Sequence, residues 1–159
     1  MFSLIKFYFC FRGAMKSTFT SDPHSDRMIG YSHQQQLERQ AAQKEMSRSR
    51  SLVLSYLLKL KRAIDADHQD LTQALCVRFS EHLIDYVSYG HFRLFEVYAP
   101  EPHHVTVVEH VTNLALRFEQ RYRNRNRVHL GRLREDLEAL ALALEARFEV
   151  EDEMTVFCD

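Results

Sequence analysis

The 159-residue chain has no tryptophan and few glycines, prolines or cysteines: four, three and three respectively. Gly13, Gly30, Gly90 and Gly131, with Pro23, Pro100 and Pro102, leave long stretches without a residue suited to a tight turn. Sandwiches, barrels and doubly wound sheets need such turns every few positions, so these folds are excluded. Excess charge is missing too: 21 basic against 22 acidic side chains give a net charge of -1, which excludes a general polyanion binder. Cys10, Cys76 and Cys158 are odd in number and far apart, so neither a disulfide frame nor a zinc motif is expected, and the cytoplasm is the natural compartment. What is present suits one soluble domain, with 45% hydrophobic residues to build its core.

Residues 1–11, MFSLIKFYFCF, look like the apolar part of an export signal, but Lys6 interrupts them. The run is about half the roughly 20 residues a membrane helix needs. The polar stretch after Met15 resembles an ordinary protein start, so translation is expected to begin there, with a membrane-surface anchor and a signal peptide as the open alternatives. Residues 16–32 lack apolar periodicity, which predicts a flexible extension over 1–32 and a helical domain over 33–159.

Four helical stretches make up that domain. Leu37, Leu52, Val53, Tyr56, Leu57, Leu60 and Ile64 mark the first, over 33–64, with a polar front half expected to fray. Leu71, Leu75, Phe79, Leu83 and Val87 recur at steps of four in the second, which is expected to run to Tyr98 before Pro100 and Pro102 stop it. Val107, Val111, Leu114, Ala115, Phe118 and Tyr122 mark the third, and Asn124 to Asn126 end it. Leu133, Leu137, Leu140, Leu144 and Phe148 form a bundle seam in the fourth. Short links between amphipathic helices predict an all-α, antiparallel up-down four-helix bundle.

Chemistry finds little support. Glu101, His103, His104, Glu109 and His110 lack the paired Glu-x-x-His arrangement that converges on one ion in a bundle, so no metal is expected, and His103 and His104 read as hydrated link residues. Ser80, His82, Asp85 and Ser88 lie along one helix as lateral neighbours and do not converge as a nucleophile and base. No glycine-rich phosphate loop exists, so neither an enzyme nor a cofactor is expected. A core ligand site would need inward polar residues on two helices, and the leucine-rich fourth helix is not expected to supply them. The cluster of Arg117, Arg121, Arg123, Arg125, Arg127, Arg132 and Arg134 is offset by acidic residues downstream and reads as a solvated helix end, not a nucleic-acid contact.

The second helix carries more. A regular wheel puts Phe79, Leu83, Val87, Gly90 and Leu94 on one side and Glu81, Asp85, Ser88, Tyr89, Phe92 and Glu96 on the other. Aromatic rings framed by carboxylates are what a protein-binding hot spot offers. Two readings of Phe92 stay open: an outward anchor, or the filling of a second seam between helices.

LIDYVSYGHF at 83–92 and LEARFEVED at 144–152 resemble the hallmark stretch and the last-helix pattern of the Rsd/AlgQ family, bacterial regulators of the primary sigma factor. The likeness runs from about Ser51 to the end. It implies an anti-sigma helical bundle that binds the C-terminal promoter-reading domain of the primary sigma factor, without direct nucleic-acid or membrane contact, and with room for further signalling-protein partners. Carried over by position, Asp85, Tyr86, Ser88 and Phe92 would belong to the sigma-binding surface, with Gly90 and His91 supporting them; Tyr89 and Glu96 join them from the wheel. Tyr86 falls near the core edge. The chain departs from the family pattern in its first helix, where residues 34–50 are polar, no Trp stands, and Arg48 and Arg50 oppose a basic partner. The competing reading is a helical scaffold that binds another signalling protein or itself.

Overall fold

The computed structural model describes residues 28–94, 97–98, 100–123 and 128–156. The chain divides into two units, Met1–Ser32 and His33–Asp159, and the packed core belongs to the second. The Met15 start and residues 1–27 lie outside the described residues. Four α-helices, α1 (Met28–Asp65), α2 (Gln69–Tyr89), α3 (Pro102–Tyr122) and α4 (Leu130–Val156), make a helical bundle, with no strand among the described residues. No helix among these residues is long and apolar enough to cross a membrane.

Local chemistry sets the helix ends. α1 stops in a Schellman turn: His68 N–H donates to Ala63 O (3.0 Å) and Asp67 N–H to Ile64 O (3.1 Å). Asp67 takes the left-handed position at φ 55, which an aspartate tolerates better than a branched residue does. α3 starts at Pro102 with a capping box in which Glu101 accepts from the backbone of His104 and the His104 ring accepts from Glu101 N–H.

Pairs between helices run in opposite senses. Arg134 meets Asp65 at one end of α1 (3.0 Å) while Arg50 meets Asp152 near its middle (2.9 Å), so contacts climb α1 as they descend α4. Arg121 meets Asp136 where α3 ends and α4 begins, and His104 faces Glu153 at the other end of the pair. The core between them includes Val53, Leu60, Phe79, Leu83, Val111, Phe118, Leu133 and Leu140. The Phe79 and Phe118 rings meet edge to face at 5.3 Å, a favoured aromatic geometry.

Several sequence expectations need correction. Residues 28–32 continue α1, which therefore begins before position 33. Its polar front half is mostly exposed but is anchored at two points, with Ala42 and Met46 buried, and Arg39 lies over the Tyr98 ring at 5.8 Å. The second helix is regular only to Tyr89, and Gly90–Leu94 form a π-helical turn. Leu37, Leu52 and Leu71 are exposed. For Leu71 the reason is geometric: a step of four residues turns 400°, so a run at strict fours rotates by about 40° per step and leaves the core face. The buried face of α2 instead alternates threes and fours through Thr72, Cys76, Phe79, Leu83 and Tyr86.

At the α3–α4 corner, Asp136 accepts from Arg121 (2.5 Å) and from the Tyr122 hydroxyl. Burial pushes the Tyr122 phenol up to about 12. For Asp136 burial acts upward, but the bonds from Tyr122 and Arg121 outweigh it and hold the carboxyl below its usual range. A depressed carboxyl stabilises the fold above its unfolded pKa of about 3.9, and that contribution is lost as pH falls through the folded value. Urea unfolding should therefore show Asp136→Asn markedly less stable than wild type at neutral pH, with the gap closing in acid. A gap that stays constant with pH would refute this role.

Candidate functional site

Tyr86, Gly90, Arg147 and Glu151 bring together the two recognisable segments, which lie more than fifty positions apart in sequence. Tyr86 and Arg147 are fully enclosed and Glu151 is 1% exposed. The Tyr86 hydroxyl lies 2.8 Å from both oxygens of Glu151, and Arg147 Nε donates to Glu151 Oε1 at 2.7 Å. The Arg147 guanidinium lies over the Tyr86 ring at 4.7 Å and donates through Nη2 to Val87 O at 3.3 Å. Arg50 closes the cluster from α1, donating to Glu151 Oε2 (3.1 Å) and Asp152 Oδ1 (2.9 Å) and covering the Phe148 ring at 4.6 Å.

The charges balance, two guanidinium groups against two carboxylates, which is the condition for keeping ions out of water. Burial raises the Tyr86 phenol far above its normal range, so it stays protonated and donates. Burial works against the charged form of Arg50, but its bonds to Asp152 and Glu151 prevail and its pKa is raised. Arg50 is therefore committed within the chain and is not the free repelling charge expected from sequence. Two atoms of the cluster, Arg147 Nη1 and Arg50 Nε, are buried without a hydrogen-bond partner among the described residues.

Gly90 is explained by this cluster. Its backbone is ordinary helix, at φ -60 and ψ -41, so no left-handed turn demands a glycine. A Cβ there would lie 2.2 Å from Arg147 Nη2 and 3.1 Å from Met46 Cε. The missing side chain is the space the guanidinium occupies, and the π turn begins at that residue. Such turns insert a residue into a helix and commonly mark functional sites.

The expected site residues separate into two sets. Asp85 is exposed and makes no ion pair or hydrogen bond with a described residue, while Glu81, one turn earlier, pairs with Arg78 at 3.1 Å. Ser88, Tyr89 and Phe92 are half-buried, and Phe92 contacts its own chain. Tyr86 is a correction: the alternating spacing puts it in the core, where its side chain is fully enclosed. His91 lies in the π turn, and Glu96 is outside the described residues. The fourth helix also departs from expectation by placing Arg147 and Glu151 inside. Its leucine seam, stepping four and three through 133, 137, 140 and 144, continues onto 147, 151 and 154. That continuation was the available signal, obscured because it leads onto charged residues.

His104 differs as well, being buried instead of hydrated, and it sits with His103 beside Glu153 from α4. No local pattern could reveal a cluster completed by a residue from another helix.

No curated protein and no solved structure matches the chain. A family model does, over residues 31–157, which takes in both signature segments and all four helices apart from the start of α1. With most of its length matched, the chain belongs to the Rsd/AlgQ family, the regulators of the RNA polymerase sigma(70) subunit.

Proposed function

We propose that this protein acts as an anti-sigma factor in the cytoplasm, holding the C-terminal promoter-reading domain of the primary sigma factor through Asp85, Ser88, Tyr89 and Phe92. The observation that carries this reading is Asp85: an exposed carboxylate without a partner among the described residues, beside half-buried aromatic rings. The Tyr86–Glu151–Arg147 cluster fixes the last turns of α2, so the surface is ordered before a partner arrives and less freedom is lost on binding. A basic helix-turn-helix domain uses a positive surface to meet phosphates, and an acidic–aromatic face can compete for it. Asp85 then guides encounter and orientation, and Phe92 and Tyr89 supply apolar contact.

Calorimetric titration of the isolated sigma C-terminal domain tests this. Asp85→Arg should weaken binding by about 2 kcal/mol or more, roughly thirtyfold, and Phe92→Ala by a similar amount. Wild-type protein that fails to bind the domain, or binding that survives both substitutions, refutes the reading.

A further inference from the structure

We propose that His103, His104 and Glu153 form a binding site for a divalent transition metal ion, with Zn2+ best suited to the donors. The two histidines lie in the first turn of α3 and the carboxylate near the end of α4. Both Nε2 atoms converge on one oxygen: His104 lies 3.5 Å and His103 3.8 Å from Glu153 Oε2. These separations are long for good hydrogen bonds. They lie close to the edge of about 3.3 Å in a tetrahedron whose metal–ligand bonds are about 2.0–2.1 Å. One donor atom from each residue falls within 4.8 Å of the others, which a small inward movement would close around one ion.

The surroundings fit a metal better than a chance cluster. Glu101 Oε2 lies 3.5 Å from His103 Nδ1, on the side of the ring away from Glu153. A carboxylate there orients the imidazole and favours the tautomer whose Nε2 is free for a metal. His104 is buried and its ring is held 3.9 Å from that of His103, so one of the three donors is already ordered. Two imidazoles and one carboxylate, with a position left for water, suit Zn2+ and not the all-oxygen preference of Mg2+ or Ca2+.

Binding has a specific local consequence. Without metal, His104 Nδ1 accepts from Glu101 N–H at 3.1 Å, so the ring proton sits on Nε2. Ligation through Nε2 moves that proton to Nδ1, and the Glu101 amide loses its acceptor. That half of the α3 capping box is exchanged for the metal, while Glu101 still accepts from His104 N–H, and the ion ties the start of α3 to the end of α4.

Calorimetry of Zn2+ binding to the full chain, with the visible spectrum of the Co2+ form and the Glu101 amide resonance, provides the test. One ion should bind per chain, Co2+ should give intense tetrahedral bands, and the Glu101 amide should shift. His103→Ala and Glu153→Gln, both exposed positions, should each weaken binding about tenfold or more, and Glu101→Gln about tenfold. His110→Ala, two turns along α3, should leave it unchanged. Absence of saturable binding overturns the site. So does an affinity that Glu153→Gln and His103→Ala leave intact, because the ion would then sit on histidines elsewhere.

Discussion

Replacing Glu151 with glutamine should cost about 3–5 kcal/mol of folding stability, the largest effect expected from any near-isosteric change in this protein. The amide fills the same space but removes the negative charge facing two guanidinium groups. Arg50 keeps Asp152 at 2.9 Å and partial access to water. Arg147 keeps nothing comparable: it is fully enclosed, Glu151 is its carboxylate partner at 2.7 Å, and its remaining bond is the 3.3 Å contact to Val87 O. An uncompensated buried cation is therefore left behind. A domain of this size has about 5–15 kcal/mol of total stability, so the loss should be plain in urea or thermal unfolding.

Two companion variants separate charge from hydrogen bonding. Tyr86→Phe deletes a hydroxyl that donates to the same carboxylate, but Glu151 retains both arginines, so the cost should be only about 1–2 kcal/mol. Arg147→Met combined with Glu151→Leu removes both charges together and should be much less damaging than Glu151→Gln alone, because the desolvation penalty goes with the ions. If Tyr86→Phe were the worse single change, or if the double variant matched Glu151→Gln, the buried charge would not be the source of the effect.

The legibility of this molecule divides along the same physical line. Helix number, type and approximate extent were open to sequence reading because the prolines among the described residues, Pro100 and Pro102, stand only at the link before α3 and apolar residues recur at helical spacing. The exposed Asp85 was also accessible from a wheel, since α2 is regular up to Tyr89. Positional carry-over from the resemblance assigns Tyr86 to the surface, although the wheel puts it near the core edge; the alternating threes and fours of the core take it fully inside. Beyond Gly90 a wheel fails altogether: a π turn adds a residue, so Phe92 no longer keeps the bearing that 100° per residue assigns to it. Arg147 and Glu151 were hidden for another reason. Patterning treats charge as a mark of the surface, and a buried pair is visible only when the partners from the other helices are in place.

Gly90→Ala should destabilise the fold by about 2–4 kcal/mol, against the sign that helix propensity gives. In an exposed helix interior, alanine is favoured over glycine by up to about 1 kcal/mol, and Gly90 has helical dihedral angles that alanine adopts freely. Packing decides the sign. The added carbon would fall 2.2 Å from Arg147 Nη2, well inside van der Waals contact, and 3.1 Å from Met46 Cε. A flexible arginine at the surface would swing aside, but this one is held by Glu151 and Val87 with Tyr86 against its face. Moving it breaks bonds that cannot be remade with water. Gly131→Ala is the matched control: its Cβ meets only the His129 ring, at 3.3 Å for the nearest atom, on an exposed turn of α4, so its effect should stay within about 1 kcal/mol. Gly90→Ala should also loosen the π turn carrying Phe92 and weaken sigma binding beyond what the lost stability explains, measured at a temperature where the variant is fully folded. An alanine variant as stable as wild type would show that the guanidinium is free to move and that the space at Gly90 is not reserved for it.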